Sequence, residues 1–272
     1  MIADYHLHSE YSHDSREKIE NICKKAIEQG VEEICFTDHV EFASELEYEW
    51  PNFRERYNEI IKCQKKYEEK LSILNGVEIG QAHVEIQKQK YLLDTFQFDF
   101  VISSVHSISE KGLPVEYPFT ADNYCGFFYS YFDDLKKTAV ETDFDVLGHV
   151  TLPFRYVPQE LLSLFPISMF KKEYVDIFKI LVDRGKGIEI NTSGLRTCLK
   201  ETLPNRQVLE WYKGCGGKVI TVGSDGHSLK SAFSGIEEGY QLLRNTGFRQ
   251  IAHFNKRNLY FEELAKGIGD NR

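Results

Sequence analysis

The sequence predicts a parallel α/β protein whose sheet closes, or nearly closes, into a barrel. Three observations carry this expectation. Short apolar strands alternate with helix-period segments seven times along the chain, the pattern of successive strand and helix units. A length of 272 residues suits one barrel, so residues 1–272 are expected to form a single domain. The strands also end repeatedly on histidine or carboxylate residues, as expected where all C-terminal strand ends converge on one functional face.

Taken in order, the stretch Ile2 to Asp14 opens as an alternating strand, and His6 and His8, two apart, project from one face at its end. Ser15 offers a cap for a helix with apolar positions Ile19, Ile22, Cys23, Ala26 and Ile27, closed by Gly30. Val31 to His39 returns to a strand, a polar loop spans Val40 to Trp50, and Pro51 opens a charged helix to about Lys70. Leu71 to Ile79 is a strand carrying Glu78, His83 to Asp94 a helix, and Phe98 to His106 a strand ending on histidine. The connection from Ser107 to about Ala121 has the length of a lid or binding loop, and a helix follows from Asp122 to Glu141.

Asp143 to His149 is the fifth strand, the loop Val150 to Pro166 carries Arg155, and Pro166 to Arg184 has helical period. After a turn at Gly185 to Gly187, the strand Ile188 to Asn191 delivers Asn191-Thr-Ser-Gly-Leu-Arg196. A helix from Asn205 to Lys213 leads to the strand Lys218 to His227, with helices expected at Ser231 to Asn245 and at Tyr260 to Lys266.

Composition narrows the partners. A formal net charge of -9 with no basic stripe argues against nucleic acid, whose binding draws on Lys and Arg neutralising phosphates. No apolar run reaches the roughly 18 residues of a membrane span, no secretory signal is visible, and a cytoplasmic protein without a membrane partner is the default expectation. The six cysteines (Cys23, Cys35, Cys63, Cys125, Cys198 and Cys215) are scattered without a Cys-x-x-Cys pair and read as reduced core residues, neither disulfide staples nor zinc ligands.

Strand ends supply His6 and His8, Asp38 and His39, Glu78, His106, His149, Asn191, then Asp225 and His227, with His13 and Asp14 just beyond the first strand. A lone His-x-His pair is often only a buried, hydrogen-bonded pair, but structural histidines have no reason to collect at strand termini. The set therefore points to a site for several metal ions. Mixed imidazole and carboxylate donors suit Zn, Mn or Fe over Ca or Mg. His83 and His253 lie outside the pattern and are expected to be surface or locally hydrogen-bonded residues.

His6-x-His8 with Asp14, Thr-Asp38-His39, Glu78, His106, Gly-His149 and Ser-Asp225-Gly-His227 resemble the successive motifs of the PHP (polymerase and histidinol phosphatase) family over essentially the whole chain. Asn191-Thr-Ser-Gly-Leu-Arg196 with Arg155 resembles its histidinol-phosphatase branch. The resemblance implies a distorted (β/α)7 barrel with three divalent metal ions: one on His6, His8, Glu78 and Asp225, a second on a bridging Glu78 with His106 and His149, and a third on Asp14, His39 and His227. His13 beside Asp14, and Asp-Gly-His in place of the usual Asp-Ala-His, are departures that bear on the third ion.

The resemblance also implies a phosphatase acting on a small phosphate monoester, L-histidinol phosphate, by in-line attack of a hydroxide bridging the metals. Glu78, Arg155 and Arg196 are its expected catalytic residues, because guanidinium forks bind phosphoryl oxygens bidentately. Phe42, Tyr117, Phe119 and Phe154 could line a pocket for a flat ring or could serve as lid packing, and Glu41, Glu45, Glu47 and Glu116 could meet a cationic tail. Rival readings are a hydrolase of another monoester, a phosphodiester or a phosphotyrosine, and a non-catalytic metal-binding regulator. A serine or cysteine nucleophile finds no elbow or phosphate-loop signature. The oligomeric state is not legible.

Overall fold

The computed structural model of the chain describes residues 1–42 and 50–264. In chain order the regular elements are β1 (Ala3–Leu7), α1 (Ile19–Glu28), β2 (Glu33–Phe36), β3 (His39–Glu41), α2 (Phe53–Tyr67), β4 (Ser72–Gly80), α3 (Ile86–Thr95), β5 (Phe100–Ser104) and α4 (Tyr124–Glu141). They continue with β6 (Val146–Leu147), α5 (Gln159–Leu164), α6 (Lys171–Asp183), β7 (Gly187–Asn191), α7 (Arg206–Gly214), β8 (Ile220–Gly223), α8 (Ile236–Asn245), β9 (Gln250–Asn255) and β10 (Asn258–Glu263).

The strands pair in parallel in the order β1, β2, β4, β5, β6, β7, β8, with β3 extending the β2 position alongside β4. Closure comes from the ends. Leu7 bridges Gly226 in parallel, Asp225 N donates to His6 O at 2.8 Å, and His8 N donates to Gly226 O at 3.1 Å. The chain is thus a mostly parallel barrel of seven strand positions, as expected.

The strands are buried on both faces, so each barrel end must be filled. At the N-terminal end Ala3, Tyr5, Phe100 and Val146 pack with Ala252 and Phe254, which the β9–β10 hairpin inserts between the strands. Tyr5 meets Phe100 edge-on at 5.0 Å, and Phe254 N donates to the Tyr5 hydroxyl at 3.0 Å. This apolar plug leaves the C-terminal end for polar side chains. The first strand serves both ends because its register with β2 slips between Asp4 and Leu7, where Tyr5 and His6 oppose the single residue Cys35. Such a bulge re-aims side chains, and here Tyr5 enters the plug while His6 and His8 turn toward the opposite mouth.

Several local expectations are corrected. Ser15 does not cap α1, which starts at Ile19 after Lys18; its hydroxyl donates to His8 O at 3.2 Å and accepts from Glu17 N instead. The loop Val150 to Pro166 holds a 3-10 turn at Leu152–Tyr156 and the short helix α5. The segment expected as one helix from Pro166 splits into a 3-10 turn, Ile167–Phe170, and α6. Helix α8 begins at Ile236, five residues late, because Gly235 before it sits at φ 83°.

The largest correction concerns the C-terminal segment. Tyr260 to Glu263 are strand, antiparallel to β9, and residues 265 and 266 of the expected helix lie outside the described residues. Lys256 and Arg257, at φ 48° and 62°, form the tight reversal, a conformation that Asn-Gly would have announced and Lys-Arg does not. Neither His83 nor His253 is exposed, and both are locally hydrogen-bonded: His83 Nδ1 to the Thr138 hydroxyl at 2.9 Å and the fully buried His253 Nδ1 to Glu33 at 2.6 Å. No helix among the described residues is long and apolar enough to cross a membrane.

Candidate metal centre

The mouth at the C-terminal strand ends gathers all nine of the residues expected to hold metal. Glu78, on β4, is fully buried and stands at the centre. Its two carboxylate oxygens face different neighbours. Oε2 lies 3.1 Å from His6 Nε2 and 3.6 Å from His8 Nε2, with Asp225 Oδ1 3.8 and 3.5 Å from the same two nitrogens. Oε1 lies 3.2 Å from His106 Nε2 and 3.0 Å from His149 Nε2, and these two nitrogens are 3.3 Å apart. A third group sits beside the first: Asp14 Oδ2 is 2.9 Å from His227 Nε2 and 3.5 Å from His39 Nε2. His13 lines the same cavity, its ring 5.2 Å from that of His39, and the adjoining carboxylate of Asp14 is the one that faces the histidine pair.

Whether these residues fit metal ions follows from their proton arithmetic. The outer nitrogen of each of several rings is already engaged: His6 Nδ1 with Glu189 at 2.6 Å, His8 Nδ1 with Ser12 Oγ at 3.0 Å, His106 Nδ1 with Glu41 at 2.7 Å, and His227 Nδ1 with the Asp225 carbonyl at 3.2 Å. When these nitrogens donate, each of these four rings presents its Nε2 lone pair to the mouth. Lone pairs and carboxylates then face one another 2.9–3.6 Å apart, which is repulsive unless a cation lies between. Donors about 2.0–2.2 Å from a zinc-sized ion at tetrahedral angles are about 3.4 Å apart, so the spacing is that of coordination edges. His8 Nε2 is buried and makes no hydrogen bond among the described residues, as a metal-directed nitrogen would. The residues fit.

Electrostatics agree. Burial and the neighbouring rings of His227 and His39 push His8 down to about 3, leaving it neutral and ready to donate a lone pair. Burial also opposes charge on His6, but Glu189, Glu78 and Asp225 outweigh it and hold that imidazole well above its ordinary value. His106 is pushed up to about 10, Glu41 and Glu78 overcoming its burial. Against the cost of burial, the surrounding imidazoles hold the fully buried Glu78 and the partly buried Asp225 well below the carboxylate range. The mouth is a partly buried anionic cluster that takes either protons or metal cations as counter-charge.

A family model described as the PHP domain matches residues 4–193. The chain belongs to the PHP domain family. It is 28% identical over 265 residues to the histidinol-phosphatase of Lactococcus lactis, covering 93% of this chain and 94% of the relative. It is also 28% identical over 254 residues to a Thermotoga maritima protein named "Probable histidinol-phosphatase", covering 92% and 95%. The crystal structure of histidinol phosphate phosphatase from Lactococcus lactis, complexed with zinc, L-histidinol and phosphate, superposes with a TM-score of 0.81 at 28% identity, covering 95% of this chain and 98% of that one.

Sequence reasoning missed the residues that orient the donors in this PHP domain. Glu189 lies mid-strand on β7 and reads locally as a core position, yet it is fully buried beneath His6. Glu41, expected in a loop, belongs to β3, where Gly80 opposite leaves room for it; a Cβ on Gly80 would meet the Glu41 carboxylate at 1.9 Å. It is buried, lines the cavity over the centre and is bonded to His106 Nδ1. Asp38, also at a strand end, is turned away to Ser9 and to the buried guanidinium of Arg56. Glu45 and Glu47 lie outside the described residues.

The arginines frame the open side. Arg155 follows Phe154, which is packed on Phe128 at 4.3 Å, so the aromatic face of α4 sets the turn that presents the guanidinium. Arg155 stands over the Tyr156 ring at 4.8 Å and reaches Ser193 Oγ at 3.4 Å. Arg196 donates to the carbonyls of Ser224 at 2.8 Å and Asp225 at 3.1 Å. Burial lowers Arg196 from its ordinary value, and nearby Arg155 pushes the same way. Among the described residues neither guanidinium is ion-paired, which leaves two cations facing one cavity of about 390 Å³ lined also by Ser193, Asp225 and His227.

A cavity of about 190 Å³ over the centre adds Leu113, Pro114, Val115, Leu152 and Tyr156. Phe42, Tyr117, Phe119 and Phe154 do not line it and serve as packing, Phe42 against Trp50 and Tyr117 and Phe119 against Phe127. Glu116 is exposed and outside both cavities.

Proposed function

We propose that the chain is a metal-dependent histidinol-phosphatase, hydrolysing L-histidinol phosphate to L-histidinol and inorganic phosphate. The observation that carries this is the division of Glu78 between two histidine pairs, with two guanidiniums lacking a carboxylate partner at the edge of the same mouth. The reading is supported by the likeness to the Lactococcus lactis enzyme, whose structure holds zinc, L-histidinol and phosphate.

In this reading His6, His8, Glu78 and Asp225 hold one ion, Glu78, His106 and His149 a second, and Asp14, His39 and His227 a third, with Zn, Mn or Fe as the metals their donors suit. When bound, such ions acidify a water molecule and neutralise phosphoryl oxygens in the transition state. The chain's own groups do the rest. Arg155 and Arg196 take the phosphoryl oxygens, directing the ester bond toward the centre. Leu113, Pro114, Val115 and Leu152 exclude water beside it and, with the Tyr156 ring, receive the imidazole of the leaving group.

Residues 1–272 act as one catalytic domain on a small phosphate monoester, without nucleic acid or membrane. Only Cys23, Cys35 and Cys63 of the six cysteines are core residues, Cys125 and Cys215 being partly buried and Cys198 exposed, and the six free thiols suit the reducing cytoplasm, where we place the protein. Phosphate release from metal-loaded protein tests the assignment: kcat/KM for histidinol phosphate should exceed that for p-nitrophenyl phosphate by at least ~100-fold, a few kcal/mol of discrimination from ring packing and polar contacts. Equal efficiency, or a preference for a diester, removes the biosynthetic substrate.

A further inference from the structure

Glu189 is the buried carboxylate on which both halves of the centre rest. Its Oε1 lies 2.6 Å from His6 Nδ1, and its Oε2 accepts from the His149 backbone N at 2.9 Å and from Asn191 Nδ2 at 3.1 Å. His6 belongs to one donor group and His149 to the other, so Glu189 joins from behind the two groups that Glu78 joins in front. The space for it is built in: a Cβ on Gly223 would meet Glu189 Oε1 at 2.4 Å. His149 itself sits at φ 20°, outside the regions that residues with a Cβ ordinarily occupy, and its N–H is held there by Glu189.

We propose that Glu189 is a positioning residue of the metal centre. One oxygen fixes His6 in the tautomer whose Nε2 offers a lone pair to the metal, and the other holds the strained turn that aims His149 at the neighbouring ion. A glutamine of the same shape cannot do both. Its amide must place NH2 either against the His149 N–H, donor against donor, or against His6 Nδ1, where it would draw the His6 proton over to Nε2 and remove a ligand.

The inference rests on the metal-centre reading above, and the test separates the two. Zinc affinity is measured by chelator competition on wild type, Glu189→Gln and Glu189→Asp, with circular dichroism and Tm of the zinc-free proteins alongside. Glu189→Gln should bind zinc roughly 10–100-fold more weakly, the usual effect of losing a carboxylate behind a ligating histidine, with the zinc-free fold retained and Glu189→Asp intermediate. Unchanged affinity in a folded Glu189→Gln protein overturns the proposal. A wild type without zinc affinity overturns the metal-centre reading instead. Should Glu189→Gln fail to fold, long-range 1H–15N spectra of zinc-loaded wild type decide: His6 should carry its proton on Nδ1, and a proton on Nε2 refutes the role.

Discussion

Replacing Glu78 by glutamine is the sharpest perturbation of this centre, because it changes one charge and one donor atom without changing shape. Glu78 is fully buried, its Oε2 is 3.1 Å from His6 Nε2 and 3.0 Å from His39 Nδ1, and its Oε1 is 3.0 Å from His149 Nε2 and accepts from Ser104 Oγ at 2.6 Å. The amide keeps one acceptor oxygen, so one of the two donor groups would face an N–H instead. Even unit charges 4 Å apart attract by about 4 kcal/mol at an effective dielectric of about 20, and a divalent ion beside a carboxylate gains more.

At 1.4 kcal/mol per factor of ten, losing that attraction weakens metal binding by about three orders of magnitude or more. Without metal, the same change removes a buried charge and lets the amide donate to an imidazole, so the metal-free fold should persist. Metal content after dialysis against a weak chelator, circular dichroism and phosphate release give the three readouts. Full metal content with near-normal turnover in Glu78→Gln would show that the carboxylate does not bridge.

Arg196→Met should lower turnover by roughly two or more orders of magnitude with metal stoichiometry unchanged, since a charge-assisted contact to the transition state is lost; unaltered turnover and unaltered inhibition by inorganic phosphate would make its carbonyl bonds to Ser224 and Asp225 its whole role. Metal uptake should release protons at pH 7. His106, pushed up to about 10 in the metal-free fold by Glu41 and Glu78 against its burial, is protonated there and must lose that proton to bind, so metal affinity rises as pH rises toward 10 and falls below it. Calorimetry in buffers of different ionisation enthalpy measures this, and no buffer dependence would contradict it. Arg56→Met should cost about 3–5 kcal/mol of stability, because the buried guanidinium holds Asp38, Asn75 Oδ1 at 2.5 Å and the carbonyls of Phe36 at 2.6 Å and Gly76 at 2.9 Å, and its loss strands a buried carboxylate. A change below about 1 kcal/mol in the denaturant midpoint analysis would mean the network is dispensable.

By itself the sequence determined the alternation of strands and helices and the residue type at each strand end. Both are local properties: side chains on a strand alternate and strand ends of a parallel barrel point one way, so His6, His8, Glu78, His106, His149, Asp225 and His227 were legible one segment at a time. Only the tertiary structure decided which of them share an ion-sized space, because that depends on register between strands far apart in sequence. Glu78 meets His6 and His8 on one side and His106 and His149 on the other through pairings that no window of the chain contains. The roles of Glu41 and Glu189 escaped notice for the same reason: Glu41 reads as a loop residue and Glu189 as an ordinary strand residue until Gly80 or Gly223, on another strand, makes room for the carboxylate behind a histidine. The β9–β10 hairpin was lost to a turn whose positive φ angles fall on Lys256 and Arg257, since burial of Ala252 and Phe254 in the barrel end imposes the reversal that local chemistry does not prefer.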